Sequence, residues 1–273
     1  MNRLSTEERA RVVSCLVEGN SLRATARMTG VARMTVEKLL RDLGTACQAF
    51  HDKTVRNLKT ERVQCDEIWS FCYAKKRNVT PKIAAEHPDA GDVWTWTAID
   101  ADSKLVISWL VGDRNAPTAY AFMEDIASRV TRRIQMTTDG YTVYLPAVDA
   151  AFGDAIDYAT LTKIYGGGQD GRYSPPKFIG AQRATVTGRP DAGHVSTSYV
   201  ERNNLTMRMH MRRFTRLTNA FSKKIENHAH SVALHFVYYN FCKIHQTLRV
   251  TPAMEAGVTD HAWSIDEIIA LLG

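Results

Sequence analysis

The sequence has 273 residues, 44% hydrophobic and 23% charged, with a formal net charge of +6. This is the composition of an ordinary globular chain of one large or two modest domains, with no run near the ~18 apolar residues of a membrane span and no apolar core in the opening MNRLSTEERARVV to act as a secretory signal. Five cysteines without a CxxC pair argue against a disulfide framework or a zinc knuckle and point to a cytoplasmic protein with reduced thiols.

Residues 1–60 carry 11 Lys and Arg against 6 Asp and Glu. Ser5-Thr6-Glu7-Glu8 has the spacing of a capping box ahead of Val12, Val13, Leu16 and Val17, and predicts a first helix stopped by Gly19-Asn20. Ser21 opens a second, with Leu22, Ala26 and Met28 inward and Gly30 at its end. A third runs from Val31 through Val36, Leu39 and Leu40 to Gly44. Three short helices with a glycine turn before the last have the layout of a small all-α helix-turn-helix domain over residues 1–45. In that layout the third helix enters the major groove, so Arg33, Thr35 and Lys38 would face DNA while Val31, Val36 and Leu39 pack inward. Residues 46–60 read as a linker.

From residue 61 the pattern is that of a sheet. VQCDEIWSFCYA is rich in β-branched and aromatic residues, and DVWTWTAID (92–100) alternates, with Trp94, Trp96 and Ala98 on one face. A turn at 100–103 leads to the return strand KLVISWLVG. Pro117 opens a helix to Val130, a fourth strand at 133–138 is closed by Asp139-Gly140, a helix spans Pro146 to Phe152, and a fifth strand spans Ala159 to Tyr165. This α/β succession predicts a ribonuclease-H-like mixed sheet flanked by helices over residues 61–250. Residues 166–193 read as a loop-rich insertion, whose triple glycine lacks the GK[ST] of a phosphate loop. A long helix follows from Ser196–Ser198 through VERNNLTMRMHMRRF, then another from about Ser222 to His245. Thr251-Pro252 starts a C-terminal helical tail, 251–273.

Three carboxylates fall at chosen places: Asp66 inside the first strand, Asp139 at the C-terminal end of the fourth, and Glu201 on the helix after the insertion. In such a sheet the first and fourth strands are neighbours, so Asp66 and Asp139 can converge, and a helix packed on the sheet can add the third. Magnesium prefers hard oxygen ligands, and a pair of ions about 4 Å apart supports in-line displacement at phosphorus. Each acid also has a plain structural explanation. Asp66 can be an exposed strand residue, with Glu67 pointing to the opposite face so that only one of the two is a ligand. Asp139-Gly140 can be a turn, and Glu201 the capping-box partner of Ser198. Residues 202–224 hold seven Lys and Arg and no acid. On a continuous helix Arg208 and Arg212 fall within about 20° of Glu201, and with Arg213 they call for an external anion. His228, His230 and His235 show no metal spacing and read as helix-face residues; Trp94 and Trp96 read as packing on the sheet.

CDEIWSF around Asp66, TTDGY around Asp139, and YVERNNLTMRMHMRRFTRLTNAFSKK from Tyr199 together resemble the insertion-sequence-one family of bacterial and archaeal DDE transposases, over about residues 60–255. YYNFCKIHQTLRVTPA is similar to the tail of such enzymes. The most specific block is ERxN followed by a basic run. The chain lacks the N-terminal zinc finger of familiar members and is longer between Asp139 and Glu201. The resemblance implies catalytic and metal-binding roles for Asp66, Asp139 and Glu201, with two Mg²⁺ ions for which Mn²⁺ can substitute. It further implies cleavage at insertion-sequence ends and 3′-hydroxyl strand transfer, double-stranded DNA as partner (terminal inverted repeats and target), a homodimer or higher assembly, and association with the nucleoid. The alternatives are a DNA-binding regulator carrying an inactive catalytic relic and a nuclease of this fold that cuts without joining.

Overall fold

The computed structural model describes residues 4–166, 177–215 and 219–273, so the glycine-rich stretch 167–176 of the expected insertion lies outside the described residues. Ser5 caps α1 (Thr6–Val17) with the capping box its spacing predicts, its hydroxyl accepting the Glu8 amide and the Glu8 carboxylate accepting the Ser5 amide. Ser21 caps α2 (Leu22–Thr29), and Gly30, at φ +74°, closes it in the left-handed conformation open to glycine. Helix α3 (Arg33–Thr54) starts where expected. Val31, Val36 and Leu39 are buried as predicted, whereas Met28 is 63% exposed and faces outward.

Six strands form one sheet: β1 (Arg62–Cys72), β2 (Gly91–Asp100), β3 (Val106–Gly112), β4 (Ile134–Thr138), β5 (Ile156–Tyr165) and β6 (Phe178–Thr187). Their order is β3-β2-β1-β4-β5-β6. The pairs β1–β2, β2–β3 and β5–β6 are antiparallel, and β1–β4 and β4–β5 parallel. The first five strands have the order and directions of a ribonuclease-H-like sheet. Strand β6 falls where the sequence predicts loop. FIGAQRATVT is exposed along almost its whole length, so no apolar alternation marks it, and its backbone ladder with β5 holds it.

A short helix, α4 (Pro81–Glu86), joins β1 to β2, and α5 (Ala116–Arg129) and α6 (Tyr144–Phe152) flank β4. After β6 come α7 (Ser198–His210), α8 (Ile225–Val237), α9 (Pro252–Glu255) and α10 (Ile265–Ala270). The two faces of the sheet are covered by different helices. Ser108 of β3 donates to Asp125 of α5 at 2.5 Å, while its neighbour Trp109 packs on Phe236 of α8 and His51 of α3. Asn240, in the π-helical turn that ends α8, bonds both the amide and the carbonyl of Val106 at 2.9 Å.

Two expectations fail because of tertiary packing. Gly44 does not end α3, and residues 46–54, expected within the linker, are helical. A Cβ on Gly44 would lie 2.3 Å from Cβ and 2.5 Å from Cα of His230, so this glycine lets α3 approach α8, and the buried stripe continues through Cys47 and His51. Helix α7 also stops early. Met211 turns extended, and Arg212–Phe214 form a 3₁₀ turn that buries Met211 and Phe214. Arg212 and Arg213 therefore leave the helical stripe that carries Glu201 and Arg208.

Candidate active site

Strand β1 pairs with β2 along its length but with β4 only over Arg62–Gln64. Past Gln64 no strand among the described residues ladders with the other edge of β1, which carries one isolated bridge, Cys72 to Ser222, and β4 ends at Thr138 with Asp139 next in the chain. Alternation along β1 sends Asp66 and Glu67 to opposite faces. Asp66 meets α7, accepting from Asn204 Nδ2 at 2.8 Å. Glu67 lies opposite Trp96, the face where α6 packs Tyr144 on Trp96. Asp139, beyond the open edge, reaches both, and one carboxylate oxygen from each of Asp66, Glu67 and Asp139 lies within 4.8 Å of the others. Glu67 thus lies in the cluster with Asp66, so both neighbours come within reach of Asp139. The alternation rule holds even so.

Burial, then the charge of Asp139, pushes the Asp66 carboxyl up to about 7 and the Glu67 carboxyl up to about 8. Glu201 adds to the rise at Asp66, and Arg114 opposes it at Glu67. Among the described residues, Glu67 Oε1 is buried with no hydrogen-bond partner. Convergent hard oxygens, one of them orphaned, fit a divalent cation such as Mg²⁺ or Mn²⁺.

Asp139 serves the turn and the cluster together. Its Oδ1 accepts the Tyr141 amide at 2.9 Å, and its Oδ2 lies 3.7 Å from Arg114. Gly140 is needed here because a Cβ would sit 2.4 Å from Thr162 Oγ1 on β5. Arg114, in the loop after β3, also lies 3.6 Å from Glu67. Its guanidinium is 3.9 Å from the ring centre of Tyr141 and 4.8 Å from that of Trp94, and the Tyr141 hydroxyl donates to its carbonyl at 3.0 Å. No motif marks this residue, and sequence reasoning missed it.

Glu201 stands beside this group. Gln64 Oε1 accepts the Tyr199 and Val200 amides at 2.8 and 3.2 Å, fastening the N-terminus of α7 to β1 two residues before Asp66. The N-cap is Thr197, and no Ser198–Glu201 capping box forms. Instead Thr197 Oγ1 donates to Glu201 Oε1 at 2.6 Å, and Lys163 of β5 forms an ion pair with Oε2. Asn204 is the asparagine of the ERxN pattern, and its bond to Asp66 explains that spacing on a helix.

The expected DNA contacts are spread out. Arg33, Thr35 and Lys38 are exposed on the first turns of α3, with Arg33 3.8 Å from Glu37 and Lys38 2.5 Å from Asp42. Arg208 is half-buried on α7 and Arg212 exposed on the turn. Arg213 turns inward and donates to Ser222 Oγ at 2.7 Å. His228 and His235 are core residues and not helix-face ones: His228 bridges Ser70 and Ser222 at 3.2 and 3.0 Å.

The sequence matches no protein-family model and no curated protein. A piggyBac transposase, solved by cryo-electron microscopy as a synaptic complex with hairpin DNA, is similar over 99% of this chain and 71% of its own, with 10% identity and a TM-score of 0.41. A transcriptional regulator of the ROK family, a homologue of the E. coli Mlc protein, is similar over 57% of this chain and 46% of its own, with 13% identity and a TM-score of 0.16. No helix among the described residues is long and apolar enough to cross a membrane.

Proposed function

We propose that the chain is a DDE-class DNA transposase that cleaves at the ends of a mobile element and transfers the freed 3′-hydroxyl into target DNA. The observation that carries this reading is the meeting of Asp66, inside β1, with Asp139, at the end of the adjacent β4, 73 residues apart in sequence, with Glu67 beside them and Glu201 close enough to act on Asp66. The motif resemblance to the insertion-sequence-one family supplies the reaction class. Asp66, Asp139 and Glu67 would hold a divalent cation, with Glu201 joining once Lys163 releases it. Such a cation, magnesium or manganese, supplies an activated attacking oxygen and charge neutralisation at the phosphate. Within the chain, Asn204 orients Asp66, Gly140 sets the reach of Asp139, and Arg114 balances the cluster's charge. On this reading residues 1–45 act as a helix-turn-helix that binds inverted repeats, and two element ends require at least a dimer.

A second reading, a DNA-binding regulator on a silent catalytic fold, draws on the Lys163–Glu201 pair, in which the third acid is already engaged by a cation. A strand-transfer assay separates the two, using labelled DNA from the gene's own flanks with Mg²⁺ or Mn²⁺ and Asp139→Asn beside the wild type. Joined products that need both metal and Asp139 support the transposase, and cut but unjoined products indicate a nuclease. Binding without any metal-dependent product refutes catalysis and leaves the regulator.

A further inference from the structure

A cleft of about 630 Å³ opens where the N-terminal helices meet the chain joining α7 to α8. Arg23 and Arg33 line one wall, Arg212 and Lys223 the other, and all four are exposed. Among the described residues Glu37 is the one acid in the lining, and it is already engaged, 3.8 Å from Arg33 and accepting from Asn227 at 2.9 Å. His235 also lines the cleft; it is 5% exposed, and among the described residues neither of its ring nitrogens has a hydrogen-bond partner. A buried polar group left without a partner costs free energy unless water or a ligand serves it. A concave site with four exposed cations and the inward-turned Arg213, a neutralised acid and an unserved imidazole is built for an anion. Helix α3, which carries Arg33, packs closely on α8 through Gly44 and His230.

We infer that this cleft takes the phosphodiester backbone of duplex DNA, with Arg33 and Arg212 gripping phosphates from opposite walls. This rests on the DNA-processing reading above and changes one part of it: Arg33 positions the duplex and does not read base edges. A run of phosphates is complementary in charge to the opposed cations, and each phosphate neutralised releases condensed counterions.

The test is duplex binding by the full chain in EDTA, followed by fluorescence anisotropy from about 50 to 200 mM salt. Two labelled duplexes are compared, one from the gene's flank and one unrelated. The cleft variant is Arg23→Gln with Arg33→Gln and Arg212→Gln. A control of equal charge change on another exposed surface is Lys76→Gln with Arg77→Gln and Lys82→Gln. The cleft variant is expected to bind both duplexes at least tenfold more weakly, with the salt slope lowered by roughly one for each charge removed, while the control stays within twofold. Unchanged binding by the cleft variant, or an equal loss in the control, overturns the inference. A loss confined to one duplex assigns base readout and overturns it as well. Cut or joined products do not enter this readout, so a catalytically silent chain can still satisfy it. A wild type that binds no duplex ends both this inference and the transposase reading.

Discussion

The pH dependence of stability holds two opposed contributions that a double substitution separates. His51, His228 and His235 are buried, and burial lowers each from 6.5 to about 3. Arg129 faces His51 against Asp125 and Asp52, Arg213 faces His228, and His210 and Lys243 face His235. Because the folded chain refuses these protons, their contribution is intact above pH 6.5 and is lost as the pH falls from 6.5 toward 3. At pH 5 the unfolded histidine is charged while the folded one is neutral, which costs about 2 kcal/mol for each. Three such losses are comparable to the whole stability of a domain, about 5–15 kcal/mol. Asp66 and Glu67 act the other way. Their carboxyls, raised to about 7 and 8, take up protons in the folded state before the unfolded one, so each returns about 2 kcal/mol between pH 7 and 5. Wild-type protein in EDTA is therefore expected to lose less over that interval than its buried histidines alone would cost. Asp66→Asn with Glu67→Gln removes the compensation, and the loss should grow by about 4 kcal/mol. Urea unfolding at pH 7, 6 and 5 measures both slopes. A double variant no more acid-labile than the wild type would refute the reasoning.

Gly44→Ala should destabilise the protein by about 1–3 kcal/mol, the usual cost of overpacking, because its Cβ meets His230 backbone that cannot swing away; a chemical-denaturation midpoint equal to the wild type's would count against it. Gly140→Ala should lower metal-dependent cleavage at least tenfold, and Thr162→Ala, by removing the hydroxyl at 2.4 Å, should restore most of it; failure of that rescue separates Asp139 placement from the Gly140–Thr162 contact. Lys163→Met should leave the fold intact and raise Mn²⁺ affinity several-fold in calorimetry by freeing Glu201, and an unchanged affinity would show that Glu201 takes no part in holding the cation. Arg114→Gln should likewise tighten Mn²⁺ binding, by removing a cation 3.6 Å from Glu67 and 3.7 Å from Asp139; weaker binding would recast Arg114 as a positioning residue for those carboxylates.

Local chemistry alone placed much of this molecule. Ser5 and Ser21 cap the helices they precede, Gly30 closes α2, the Trp94–Ala98 alternation marks β2, and the first five strands follow the predicted succession. Capping and period-two patterning act within a few residues, so they are written in the chain. Asp66 and Asp139 were likewise legible, because a strand acid and a strand-end Asp-Gly have defined places in such a sheet. What the chain order does not contain is which edges stay open and which helices touch. The β1–β4 ladder stops at Gln64, and Asp139 lies beside both Asp66 and Glu67. The approach of α3 to α8 converts Gly44 from a stop into a contact. The burial of Met211 and Phe214 ends α7 before Arg212. Arg114 and Lys163 enter the site from loops and strands distant in sequence and without periodicity, since a counter-charge needs only proximity. Two of the three clustered acids, Asp66 and Asp139, were thus named by the sequence, and the company they keep was decided by long-range packing, where free energy depends on neighbours that no local pattern records.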